Sequence, residues 1–492
     1  MMKISANKTS VKSLLIGLAM LVCMSLITCK KDKGKPANGF PQEIADILVN
    51  KCTNAGCHNS TSKDGAAGLS LETWDDLFKG DRNGAVCIPF QHKYSTLFLF
   101  TNTYTALGSV NKPTMPLNKP ALSQEEMQTL IDWIDKGAPN SDGKIMWADN
   151  PNRKKVYVTN QGCDVVTVFD AATQLQMRYI DVGSSSAIEV PHNVKVSHDN
   201  KYWYVIFSAS GSTYLEKYNA TDDKFISRTN ISSGSWNTLT ISNDSKFGYA
   251  VDWNPNGKIA KVNLNTMTLV GGTWGGFQEP HGSAINITGD TLYVTCQTGN
   301  FFYKIPVNDP SSFDQKILNP PSPPISTPLL DPHEIAFSPD SLYYYVTCQK
   351  SNEVRVMSAI NDELISTIPT GTYPLEMAFS KTQPYLFVTC EYDQTPPQTN
   401  RGSVTVINYQ TNTVVKNLRT YMSEPHGVIV DDNNGLVYVT NRNISGASLP
   451  HHTSNCGGTN GFISFIDINT LEVIKNKKIE VARDPYAIDI RE

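Results

Sequence analysis

A short apolar word recurs seven times along the C-terminal two-thirds of the chain, and it restricts the fold more than any other feature. It reads VYVTN at Val156, YWYVIF at Tyr202, FGYAVD at Phe247 and LYVTC at Leu292, then YYYVTC at Tyr343, LFVTC at Leu386 and VYVTN at Val437. The residues are β-branched and aromatic, and turn clusters such as Ser-Pro-Asp and Asp-Asn-Asn bound them, so each copy is a strand. A second strand pattern follows, for example VVTVFDAAT at Val165, EVRVMSAIN at Glu353, SVTVINYQT at Ser403 and FISFIDINT at Phe462. A repeat of roughly forty to fifty residues builds a propeller or a solenoid.

The word YVTN followed by a strand ending in Asp-x-x-Thr resembles the YVTN β-propeller family. The resemblance covers about two-thirds of the chain and implies seven blades. A further strand in each repeat opens on a fixed pair: Pro191-His192, Trp236-Asn237, Pro280-His281, Pro332-His333, Pro374-Leu375, Pro425-His426 and Pro485-Tyr486. The last of these has no outer strands after it, and the strands at Val156 have no inner strand before them. The C-terminal strand is therefore expected to complete the first blade, since closure leaves no open sheet edge.

The second residue of each pair should ring the central channel at one face. Four of the seven are histidines, His192, His281, His333 and His426, out of nine in the whole chain. Converging neutral imidazoles suit a transition metal such as copper, zinc or iron. The arrangement distantly resembles nitrous oxide reductase, but three of seven positions are not histidine and no copper domain accompanies them, so that activity is not implied. The alternative is a turn habit in which each ring hydrogen-bonds a neighbouring blade. Two enlarged connections, from Glu391 to Arg401 and from Arg442 to Gly461, leave the strands on the same face, the second carrying His451, His452 and Cys456. Cys296, Cys348 and Cys390 replace the YVTN asparagine there, and small buried cysteines account for them equally well.

Chemistry is concentrated ahead of the repeats, at Cys52-Thr-Asn-Ala-Gly-Cys57-His58. Covalent haem attachment needs two thiols and a histidine directly after the second; the usual spacer is two residues and here it is four. A helical pattern with Ile44, Ile47 and Leu48 precedes the motif. Downstream, Pro113-Thr114-Met115-Pro116 leads into a helix capped by Ser123 with Glu126, striped by Met127, Leu130, Ile131 and Ile134, and stopped at Gly137. This order resembles the cytochrome c domains of large periplasmic proteins. The resemblance implies thioether bonds at Cys52 and Cys57, His58 as proximal iron ligand and Met115 as distal ligand, a set suited to electron transfer. A Cys52–Cys57 disulfide, a zinc site completed by His58 with His92 or Cys87, and His92 as distal ligand are the alternatives.

The N-terminus reads as a targeting segment. Lys3, Lys8 and Lys12 precede an uncharged apolar stretch from Ser13 to Thr28, and Leu26-Ile27-Thr28-Cys29 resembles a bacterial lipobox. The expected organisation is a signal peptide over 1–29 lipidated at Cys29, a tether over 30–39, a small all-α cytochrome c-like domain over 40–140 and the mainly β propeller over 150–492. Apolar residues make up 40% and charged residues 18%, with a formal net charge of −4, which excludes a nucleic-acid binder. No Gly-rich phosphate loop, GxSxG elbow or HExxH helix occurs. The chain reads as a lipid-anchored envelope electron-transfer protein with one covalent haem, its propeller docking a redox partner protein or a small-molecule electron donor or acceptor. The alternatives are an oxidoreductase with a metal on the propeller histidines, and a non-enzymatic binding propeller. The pairing of Cys87, Cys163 and Cys456 is not readable from spacing.

Overall fold

The computed structural model describes residues 38–320, 322–325, 329–394 and 401–492. The lipobox with Cys29, and most of the tether, lie outside the described residues. Among the described residues no helix is long and apolar enough to cross a membrane.

Seven four-stranded antiparallel sheets form a seven-bladed propeller. Blade one takes strands Lys155–Asn160, Val165–Asp170 and Leu175–Asp181 from its start and Pro485–Arg491 from the far end of the chain. Residue pairing runs from Lys155↔Arg491 to Asn160↔Pro485. Blades two to seven span 191–234, 236–277, 280–317, 332–369, 374–418 and 425–483. The inner strands pack side by side around the axis, and the YVTN-type words sit second, buried along nearly their whole length. A strand covered on both faces loses the polar alternation of a solvent-facing one, and hence reads as a continuous apolar word.

In blades four to seven the threonine of that word ties one blade to the next. Thr295 Oγ1 donates to the His333 carbonyl at 2.9 Å, Thr347 to Leu375 at 2.7 Å, and Thr440 to Tyr486 at 2.9 Å. The asparagine that follows satisfies its own blade: Asn160 Nδ2 donates to Val158 O, Val165 O and Thr167 Oγ1. Cys348 and Cys390 occupy the equivalent place, each with Sγ 3.8 Å from the carbonyl two residues back. Both are fully buried, as is Cys296, so these sulfurs are packing elements of the blades.

Among the described residues ahead of the propeller lie four helices, α1 (Gln42–Cys52), α2 (Trp74–Leu77), α3 (Thr96–Thr101) and α4 (Gln124–Asp135), joined by 3₁₀ turns and long loops. Ser123 and Glu126 form a full capping box on α4. The apolar stripes of α1 and α4 bury Ile44, Leu48, Met127, Leu130 and Ile134. These residues belong to one apolar cluster that continues into Val165, Met177 and Trp203 of blades one and two. Polar ties reinforce it: Gln176 accepts from Ala85 N at 2.8 Å and donates to Glu480 O at 2.6 Å. Tyr94 stacks on Tyr179 with ring centroids 4.3 Å apart. Cys163 and Cys456 are joined as a disulfide, which leaves Cys87 as a buried free thiol.

Candidate functional site

Helix α1 ends at Cys52, and the chain then turns back on itself. His58 N donates to Cys52 O at 3.0 Å, and Cys57 N donates to Asn54 O at 2.9 Å. Asn59 fixes this loop from inside: Oδ1 accepts from Thr61 and Ser62, and Nδ2 donates to Thr53 O and Asn54 O. The four-residue spacer is thus a hydrogen-bonded turn that brings Cys52, Cys57 and His58 to one wall. Met115, whose N donates to Phe100 O at 2.7 Å, stands on the same cavity of about 440 Å³. Leu69, Leu71, Val86 and Leu97 supply an apolar lining. The volume lies within the ~300–1,000 Å³ range of cofactor sites.

Burial, with the nearby Cys57 charge adding, pushes the Cys52 thiol up to about 12. Burial also holds His58 below its ordinary value, against the pull of the Leu69 carbonyl, so its imidazole stays neutral and able to ligate a metal. Cys52 and Cys57 are both free thiols, not a disulfide. Neither Cys87 nor His92 lines the cavity; His92 Nδ1 lies 2.8 Å from the Asp135 carboxylate. His451, from the 442–461 connection of blade seven, does line it, and its ring centroid is 4.8 Å from that of Phe100. That connection was expected to decorate the channel face. Instead it folds over the helical segment, because Asn111 accepts from Thr453 and Asn455 donates to Lys93 O.

The second concave feature is the channel mouth. His192, Asn237, His281, His333, Leu375, His426 and Tyr486 all line one cavity of about 330 Å³. Every inner strand shifts register just after its opening residue. A bulge re-aims side chains, and this one recurs at every ring position. The residue before each proline, from Val190 to Asp484, has a positive φ of 38 to 63°. The close approach of blades leaves no room for a Cβ at Gly282 or Gly427, which would strike the carbonyls of His333 and Tyr486.

The rings form a chain of contacts, with centroids 6.4 Å apart for His192–His281, 4.0 Å for His281–His333 and 5.9 Å for His333–His426. Burial, reinforced for His192 by the neighbouring His281, lowers His192 to about 3; burial lowers His281 to about 4. His333 and His426 lie well below the ordinary value for the same reason. His192 Nδ1 lies 2.8 Å from the Asn237 carbonyl, the neighbouring-blade contact that the turn-habit reading expects. Among the described residues, His426 has no hydrogen-bond partner on either ring nitrogen, and Nδ1 of His281 and of His333 has none.

Charged residues one step deeper were not anticipated. Burial pushes Glu376 up to about 7, with Lys195 opposing, and burial together with Glu376 raises Glu334. Lys195, which burial alone would push down, is held above its ordinary value by Asp489, Glu334 and Glu376. The signal was present in the sequence: blades five and six read Pro-His-Glu and Pro-Leu-Glu, where blades four and seven read Pro-His-Gly.

No protein family matches the chain, and no curated protein does. Solved structures match the propeller. A functionally unknown protein from Desulfotomaculum acetoxidans aligns with a TM-score of 0.52 at 14% identity, covering 68% of this chain and 98% of that one. The periplasmic gluconolactonase of Pseudomonas aeruginosa aligns with a TM-score of 0.51 at 15% identity, again over 68% and 98%. At such identities the likeness is one of fold.

Proposed function

We propose that this chain is an electron-transfer protein of the bacterial cell envelope, anchored by lipid at Cys29 and carrying one covalent c-type haem, with the propeller as docking scaffold. The observation that carries the reading is that Cys52, Cys57 and His58 line one apolar cavity of about 440 Å³ together with Met115, which is distant in sequence. The residues fit the group: two free thiols, a half-buried imidazole held toward its neutral form and a thioether sulfur around apolar walls. In this reading Cys52 and Cys57 hold the porphyrin as thioethers, while His58 and Met115 hold the iron. Bound haem would supply a one-electron couple, and filled axial positions favour electron transfer over substrate binding. Asn59 keeps the attachment loop in place, and Leu69, Leu71 and Leu97 keep water from the porphyrin face.

The test is an absorption spectrum with a pyridine haemochrome assay on full-length protein made in a host with haem-attachment machinery. About one covalent haem per chain, lost in Cys52→Ala/Cys57→Ala, is the expected result. A haem-free protein from that host overturns the assignment and leaves a binding propeller.

A further inference from the structure

The channel histidines are not equivalent, and a carboxylate singles out two of them. One ligand atom each from His333, Glu376 and His426 lie within 4.8 Å of one another. His333 and His426 are both only 2% exposed, and both nitrogens of His426 lack a hydrogen-bond partner. A buried imidazole with neither nitrogen satisfied costs desolvation with no return. The three residues come from the inner strands of blades five, six and seven, so the site exists only once those blades are side by side. Leu375 occupies the ring position between the two histidines, and the bulge in blade six brings the next residue, Glu376, within reach of them.

We propose that His333, Glu376 and His426 form a binding site for one divalent transition-metal ion at the mouth of the propeller channel. Two imidazoles and one carboxylate form a ligand set used by zinc and by non-haem iron, with coordination positions left for an exogenous ligand. Those positions face the cavity of about 330 Å³, whose polar rim includes Gln161, Gln349 and Arg442. The ion is therefore reachable from outside. Lys195 interacts electrostatically with Glu376 and with Glu334. His192 falls outside the ligand set because it is not among the residues whose ligand atoms lie within 4.8 Å of one another. The site does not depend on haem.

The experiment is titration of chelator-stripped, full-length Cys52→Ala/Cys57→Ala protein with Zn²⁺ and with Co²⁺. Removing the two thiols keeps them from competing for the ion. One equivalent should bind, and Co²⁺ should give visible d–d bands. His333→Asn/His426→Asn should weaken binding by more than 100-fold and Glu376→Gln by about 10-fold or more, by analogy with losses at metal-site shells. His192→Asn should bind as the parent does. Circular dichroism and the melting temperature establish that each variant is folded; the near-isosteric Glu376→Gln keeps the test open if the double variant is not. Absence of one-to-one binding in the parent overturns the proposal. So does undiminished binding in folded Glu376→Gln and in the double histidine variant.

Discussion

The Thr389 hydroxyl in blade six donates to the main-chain carbonyl of His426 in blade seven at 2.6 Å. The same contact links blades four to five, five to six and seven to one, always from the threonine of the repeated word to a channel residue. From blade four round to blade one, each junction is therefore held by one threonine hydroxyl.

Replacing Thr389 by valine keeps the shape and removes the donor, leaving a buried carbonyl unpaired. A loss of about 1–3 kcal/mol is expected, measured by urea denaturation against the parent. Zn²⁺ affinity should fall as well, because His426 is no longer fixed. A variant as stable as the parent would mean the carbonyl has found another donor.

Gln176 joins three parts of the chain, accepting from Ala85 in the helical segment and donating to Glu480 in blade seven. Gln176→Ala strands a buried N–H and a buried carbonyl, and about 2–4 kcal/mol should be lost. Limited proteolysis is the second readout: cleavage should increase first within 38–147, where this tie is made.

The cavity beside Cys52 and Cys57 is also lined by two potential ligands, Met115 and His451. With haem attached, Met115→Ala should retain the covalent group and lose the thioether-to-iron absorption band, with a lower midpoint potential. His451→Ala should leave that band in place. The reverse pattern would assign the distal position to the propeller.

Thiol labelling follows from burial, which disfavours the charged thiolate and so raises the pKa. Cys390 is pushed up to about 11, and Cys52 and Cys296 up to about 12. Iodoacetamide reacts with thiolate, and at pH 8 these groups are overwhelmingly protonated. Among the described cysteines of the haem-free protein, half-buried Cys57 should be labelled and Cys52, Cys87, Cys296, Cys348 and Cys390 protected. Reactivity of Cys390 should rise about tenfold per pH unit below 11, provided the fold persists. Labelling of Cys348 or Cys390 as fast as Cys57 would contradict the burial of those blades.

The blades were legible because a strand covered on both faces writes itself as an uninterrupted apolar word, and seven in-phase copies cannot be a coincidence of composition. The ring position was legible through its proline. What failed to show was anything decided by a bulge or by a long connection. Glu376 stands next to the ring position in sequence, and only a local register shift lets the neighbour of a channel residue serve the channel too. His451 sits in a connection whose path depends on groups elsewhere, the Asn111 side chain and the Lys93 carbonyl among them, so no periodicity announces its place in the other pocket. The disulfide joins residues 293 apart in sequence, a separation that spacing rules do not address.

Blade one pairs Lys155–Asn160 with Pro485–Arg491, the beginning of the ring with its end. The first blade lacks its inner strand until the far end of the chain docks. The channel mouth also lacks Tyr486, whose ring lies 3.5 Å from that of His426, until that strand arrives. The channel mouth is thereby finished only when residues 485–491 dock, and a chain lacking them has neither a closed ring nor a finished mouth. The fold includes its own check on completion.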